Sequence, residues 1–162
     1  EELIHIISRI REEIPDITLR TTLITGFPGE SKEQHEELMD FVDEMAFDRL
    51  GVFTYSAEDG TPAAQMPDQV EESVKEARRA ELMELQQEIA FDQAEQMIGR
   101  EVLVMIEGKV ADENAYVGRT YKDAPNVDGL IFVNTDTELL SGDFAKVRVT
   151  GACEYDLIGE LM

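Results

Sequence analysis

The sequence predicts an α/β segment, a helical connector and a small β-barrel, and three features carry that expectation. Residues 17–56 read as strand, helix, strand; residues 69–97 follow helical three- and four-residue spacing; and from Arg100 the apolar period changes to two. With 162 residues, 43 % of them hydrophobic, the chain can bury a sizeable core, enough for one domain or two small ones.

Leu3, Ile6, Ile7 and Ile10 share one helix face and Pro15 stops the run, which predicts a helix over residues 1–13. "ITLRTTLITG" (17–26) is rich in β-branched residues, too short for a good helix and closed by glycine, the pattern of a largely buried strand. Ser31 then reads as an N-cap, with Gln34 completing a capping box. Leu38, Met39, Val42 and Met45 supply that helix with a buried stripe, and "DRLGVFTYS" (48–56) is the second strand. Such a crossover makes the strands parallel and right-handed, so both end on one edge. Gly26 to Glu30 and Tyr55 to Gly60 lie there, where parallel α/β sheets and barrels place ligands.

"SAEDGTPAAQMPD" (56–68) is a loop leaving that edge. The following helix, 69–97, is expected to turn Val70, Val74, Ala77, Leu82, Leu85 and Ile89 inward and to pair Glu71 with Lys75, until Ile98-Gly99 ends it. "EVLVMIEG", "LIFVN", "FAKVRVT" and "YDLIGEL" mark about five short strands within residues 98–162, and closure into a barrel would remove their exposed edges. The expected boundaries are therefore 1–68, 69–97 and 98–162.

Charge limits the partners. With 36 acidic and 14 basic residues the formal net charge is −22, so a phosphate backbone is repelled on average and a basic partner attracted. No signal peptide and no apolar run of membrane-spanning length appears, which predicts a cytoplasmic protein. The single cysteine, Cys153, cannot form an internal disulfide and reads as a small buried filler in a strand. His5 and His35 lie on helices with no second ligand at metal-binding spacing, so neither is assigned a metal or catalytic role.

The loop "TGFPGE" carries the functional question. A phosphate-binding P-loop fails, because Glu30 and Ser31 stand where lysine and its hydroxyl partner should follow; a dinucleotide fingerprint fails because Gly26 and Gly29 do not make G-x-G-x-x-G. A tight turn accounts for the residues as they stand, with Gly26 and Gly29 supplying unusual backbone angles and Pro28 stiffening the bend.

"LITGFPGE" after a strand also resembles the fifth-strand motif of radical S-adenosylmethionine (SAM) enzymes. The likeness extends through "LRTTLITGFPGE", "FDRLGVFTYSAEDGTPAAQMPDQV", "LMELQQEIA", "VGRTYKDAPNVDG" and "GDFAKVRVTGACEYDLIGEL", which together are similar to the C-terminal half of the methylthiotransferases. The resemblance implies part of a radical SAM partial TIM-type barrel followed by a small antiparallel OB-like barrel, a TRAM domain. It further implies that Ile24 packs on the SAM adenine, that Gly26 allows close backbone approach, and that Thr54, Tyr55 and Ser56 contact the cofactor through their backbone. Arg20 and Thr22, on one strand face, would reach its polar part.

In that family SAM is cleaved reductively to a 5′-deoxyadenosyl radical, and the carbon that loses hydrogen receives sulfur and a methyl group. The chemistry needs C-x-x-x-C-x-x-C at one 4Fe–4S cluster and three further cysteines at a second; this chain has one cysteine. It therefore resembles a C-terminal piece that binds neither cluster, holds no catalytic residue and is inactive alone. The nearest likeness is to the branch that modifies the β-carbon of an aspartate in ribosomal protein S-twelve, and the competing branch acts on adenosine in transfer RNA.

Residues 98–162 hold 12 acidic and 6 basic side chains, a net of −6, which suits a basic ribosomal protein better than RNA. "RTYKDAPNVDG" (119–129) is the expected docking segment, with Arg119, Tyr121, Asp123 and Asp128 toward the substrate; an ordinary solvated hairpin loop reads the same way. An RNA face would instead gather Arg100, Arg119, Lys122 and Arg148. A free-standing binding module whose glycine loop is only a turn is the other reading.

Overall fold

A computed structural model describes residues 2–162 and divides the chain into two compact units, Glu1–Ile89 and Ala90–Met162, with the boundary inside one helix. The first unit begins with α1 (Glu2–Glu13), followed by β1 (Arg20–Thr25), α2 (Lys32–Met45) and β2 (Arg49–Thr54). The two strands are parallel, in the register Arg20↔Arg49 through Thr25↔Thr54, so the expected strand–helix–strand unit is present. Ser31 caps α2 as its sequence requires: its hydroxyl accepts from the Gln34 amide, and the Gln34 side chain accepts from the Ser31 amide. Val42 and Met45 are buried with Phe47, Leu50 and Val52, while Leu38 and Met39 pack half-buried against them.

A single 3₁₀ turn (Ala63–Gln65) interrupts the loop before the long helix α3 (Glu72–Glu95). Here the structure departs from the expected stripe. Val74 and Ala77 are exposed, and the inward positions are Lys75, Arg78, Leu82, Gln86 and Ile89. The first half of α3 packs against strand-end backbone, whose carbonyl oxygens need donors, so basic and amide side chains occupy its inner face. The expected Glu71–Lys75 pair gives way for a related reason. Glu71 precedes the helix and accepts the Lys75 amide through its carbonyl, while the Lys75 ammonium bonds to Glu72.

In the second unit, β3 (Glu101–Lys109), β4 (Ala115–Arg119), β5 (Ile131–Asn134), β6 (Phe144–Cys153) and β7 (Asp156–Leu161) close a barrel in the order β3-β4-β5-β7-β6. Four of its seams are antiparallel, and β5 meets β7 in parallel. Inward Val102, Val104, Ile106, Ile131, Val133, Val147 and Val149 fill the interior, the period of two made physical.

Cys153 corrects an expectation. It lies in β6, yet it is exposed, because the register slips between Val149 and Gly151 and Cys153 becomes the last pair before the turn into β7. Among the described residues no helix is long and apolar enough to cross a membrane.

Candidate functional site

The parallel register brings the two strand ends to one edge. Tyr55 donates its amide to the Thr25 carbonyl (2.9 Å), and the Phe27 and Tyr55 rings meet edge to face at 5.2 Å, so the glycine loop and the end of β2 form one surface. Gly26 and Gly29 take φ of +75° and +86°, the left-handed region in which a side chain is strained.

The glutamate of the loop is its internal fastener. Glu30 Oε2 accepts from the Gly26 amide (2.9 Å), and Oε1 accepts from Thr25 Oγ1 (3.1 Å) and Arg78 Nη1 (2.7 Å). Arg78 also donates to the Glu30 carbonyl, and the Gly29 amide is taken by Asp68. Sequence reasoning gave Glu30 no such role, and its partner Arg78 lies 48 residues away. At the start of α2, hydrogen bonding to Glu36 raises the Lys32 pKa; hydrogen bonds from its own backbone and Ser31 lower that of Glu33.

Alternation along β1 places Arg20, Thr22 and Ile24 together on the exposed face, with Leu23 and Thr25 turned inward. Ile24 is 60 % exposed, and its register partner Phe53 is 63 % exposed on the same face. Phe53 was not singled out by the sequence, because a continuous apolar run does not tell which side the helix covers. Thr54 and Tyr55 are half-buried and Ser56 is exposed. The Tyr55 carbonyl accepts from Lys75 Nζ (3.0 Å), so both backbone polar groups of Tyr55 are engaged within the chain.

His35 is buried with Nε2 2.7 Å from Glu81 Oε2, while His5 is exposed. Among the described residues no group of three His, Cys, Asp or Glu side chains is arranged to hold a metal ion.

In the barrel, the expected docking segment is the connection from β4 to β5. Asp123 Oδ2 accepts from the amide and hydroxyl of Thr120, and Asp128 Oδ2 accepts from the Ala124 amide, so both carboxylates fold the loop on itself. Tyr121 (56 %) and Val127 (69 %) are its exposed large side chains. The arginines expected for an RNA face are partnered: Arg119 with Glu107 (2.9 Å) and Arg148 with Glu101 (2.9 Å).

Residues 98–162 match the TRAM domain family. Over 98 % of its length the chain is 62 % identical to the ribosomal protein uS12 methylthiotransferase RimO of Lachnoclostridium phytofermentans, covering 36 % of that protein. It is 48 % identical over its full length to the RimO proteins of Desulfitobacterium hafniense and Carboxydothermus hydrogenoformans, covering 36 % and 37 % of them. The chain thus spans little more than a third of the length of these relatives. It carries a TRAM domain and, over nearly its whole length, is similar to a C-terminal portion of the RimO-type uS12 methylthiotransferases.

Proposed function

We propose that this chain is the C-terminal part of a radical SAM methylthiotransferase that adds a methylthio group to the β-carbon of an aspartate in ribosomal protein uS12, in the cytoplasm. The observation that carries the reading is the meeting of the Gly26 loop and the Tyr55 strand end at one sheet edge, beside the open face of Ile24 and Phe53.

Two features fit an adenosyl group. Ile24 and Phe53 form an apolar floor in adjacent register, and the buried Tyr55 hydroxyl has no partner among the described residues. On this reading Ile24 and Phe53 hold the adenine, Thr54 and Ser56 border the ribose, Tyr55 offers its hydroxyl, and Arg20 and Thr22 reach toward the methionyl end. The close approach at Gly26 is made by the Lys75 side chain, so the glycine shapes the pocket by admitting that lysine. SAM and two 4Fe–4S clusters supply the radical, sulfur and methyl chemistry in the whole enzyme. This chain's share is to bind and orient; alone it is inactive.

The acidic barrel is the docking surface for the basic substrate, a matter of charge complementarity, with Arg119, Tyr121, Asp123 and Asp128 in or beside the contact. Binding of the 162-residue chain to uS12 and to transfer RNA, each at low and high ionic strength, tests this. The expected result is salt-sensitive binding to uS12; preference for the RNA overturns the substrate. The extended reading frame tests the catalytic part: it must encode two groups of three cysteines ahead of Glu1, and a frame without them removes the activity.

A further inference from the structure

We infer that Lys75 is a positioning residue for the cofactor wall, an inference that rests on the SAM-site reading above. The lysine is only 7 % exposed, and burying an ammonium is costly unless its donors are satisfied. They are directed: Nζ donates to the Tyr55 carbonyl at 3.0 Å and to Glu72 at 2.9 Å, and stands 5.6 Å from the Tyr55 ring centroid. Its methylene stem meanwhile fills the space beside Gly26. One side chain thus touches both halves of the wall, the glycine loop through its stem and the end of β2 through its charge.

Packing alone does not call for the charge, since a methionine stem would fill the same space without desolvating an ammonium. What the ammonium adds is direction at a carbonyl that the β1–β2 ladder leaves at the strand end. It fixes the Tyr55 peptide and with it the ring that packs on Phe27. Arg78 and Arg79, one turn on, repeat the device on the Glu30 and Val52 carbonyls, so the first turns of α3 read the backbone of the site edge. Lys75 differs from both in bonding the residue predicted to border the cofactor.

The test uses the 162-residue chain, isotopically labelled, titrated with SAM and followed by NMR at Ile24–Gly26 and Thr54–Ser56. Lys75→Met keeps the stem and removes the charge. Lys75→Cys in a Cys153→Ser background, alkylated in denaturant with 2-bromoethylamine and refolded, restores an ammonium at the same reach. Below the thermal transition, Lys75→Met is expected to weaken SAM binding about tenfold, the scale of one charged hydrogen bond, and the alkylated protein to recover it. Wild-type affinity in Lys75→Met, or no recovery on alkylation, overturns the positioning role.

If SAM perturbs no amide of the wild-type chain, the cofactor reading fails and amide exchange decides the role of Lys75. Exchange at Gly26 and Tyr55 that is faster in Lys75→Met than the global rate allows, and normal again after alkylation, upholds it. Exchange that is unchanged, or changed evenly through the unit, refutes it.

Discussion

The side chain of Lys75 stands where a side chain on Gly26 would go: a Cβ built on the glycine collides with Cγ of the lysine. The glycine is therefore required twice, once by its φ of +75° and once by its neighbour. Gly26→Ala should cost about 1–2 kcal/mol for the left-handed backbone and about 1–3 kcal/mol for overpacking. In a Lys75→Ala background the second penalty disappears while the first remains. Urea unfolding of the two single variants and the double variant measures the coupling, and strict additivity would show that the lysine stem is not the obstacle.

Glu30 is the acceptor on which the loop closes, bonded to Gly26, Thr25 and Arg78 with its side chain and that of Arg78 almost wholly covered. Removing the carboxylate leaves a buried guanidinium without its charge partner, the costly way to break an ion pair. Glu30→Ala should therefore destabilise the first unit by about 3–5 kcal/mol, while Glu30→Gln, which keeps an acceptor and the shape, should lose about 1.5–3 kcal/mol. Equal losses in the two variants would mean that the charge alone holds the loop and that the retained shape and acceptor of glutamine contribute nothing.

The capping box of α2 gives a smaller and cleaner effect. Ser31 and Gln34 exchange side-chain and backbone hydrogen bonds at the helix start, directly after the loop fastened by Glu30. Ser31→Ala should lower stability by about 1 kcal/mol, and Ser31→Asp should restore most of it, because an aspartate caps equally well and favours the helix N-terminus. Thermal unfolding read by circular dichroism distinguishes the two.

The β1–α2–β2 unit was legible in the sequence because β-branched runs, a capping box and an apolar stripe all point to it, and the barrel because its inward valines and isoleucines alternate, most clearly along β3 and β6. The first half of α3 was not, because hydrophobic periodicity follows Val74 and Ala77 while Lys75 and Arg78, one residue on, are the buried pair. Glu30 was opaque for a similar reason: what makes it structural is an arginine on a distant helix. Phe53 needed the sheet's covered side to be known, and Cys153 needed the register slip in β6.

In the β4–β5 connection, proposed above as the docking loop, some side chains tie the loop together and others lie on its surface. Asp123 and Asp128 spend a carboxylate oxygen on Thr120 and Ala124, whereas Tyr121 and Val127 are mostly exposed. On that proposal Asp123→Ala should weaken uS12 binding together with stability, losing about 1–3 kcal/mol as the buried Thr120 amide and hydroxyl lose their shared acceptor. Tyr121→Ala and Val127→Ser, which remove exposed surface, should leave unfolding within about 0.5 kcal/mol of the parent. If the loop is the docking surface, the same two changes weaken binding of the 162-residue chain to uS12, with tyrosine the larger loss because aromatic side chains dominate interface energetics. Binding unchanged in both variants would move the docking surface elsewhere on the barrel and leave Asp123 and Asp128 as the loop's internal ties.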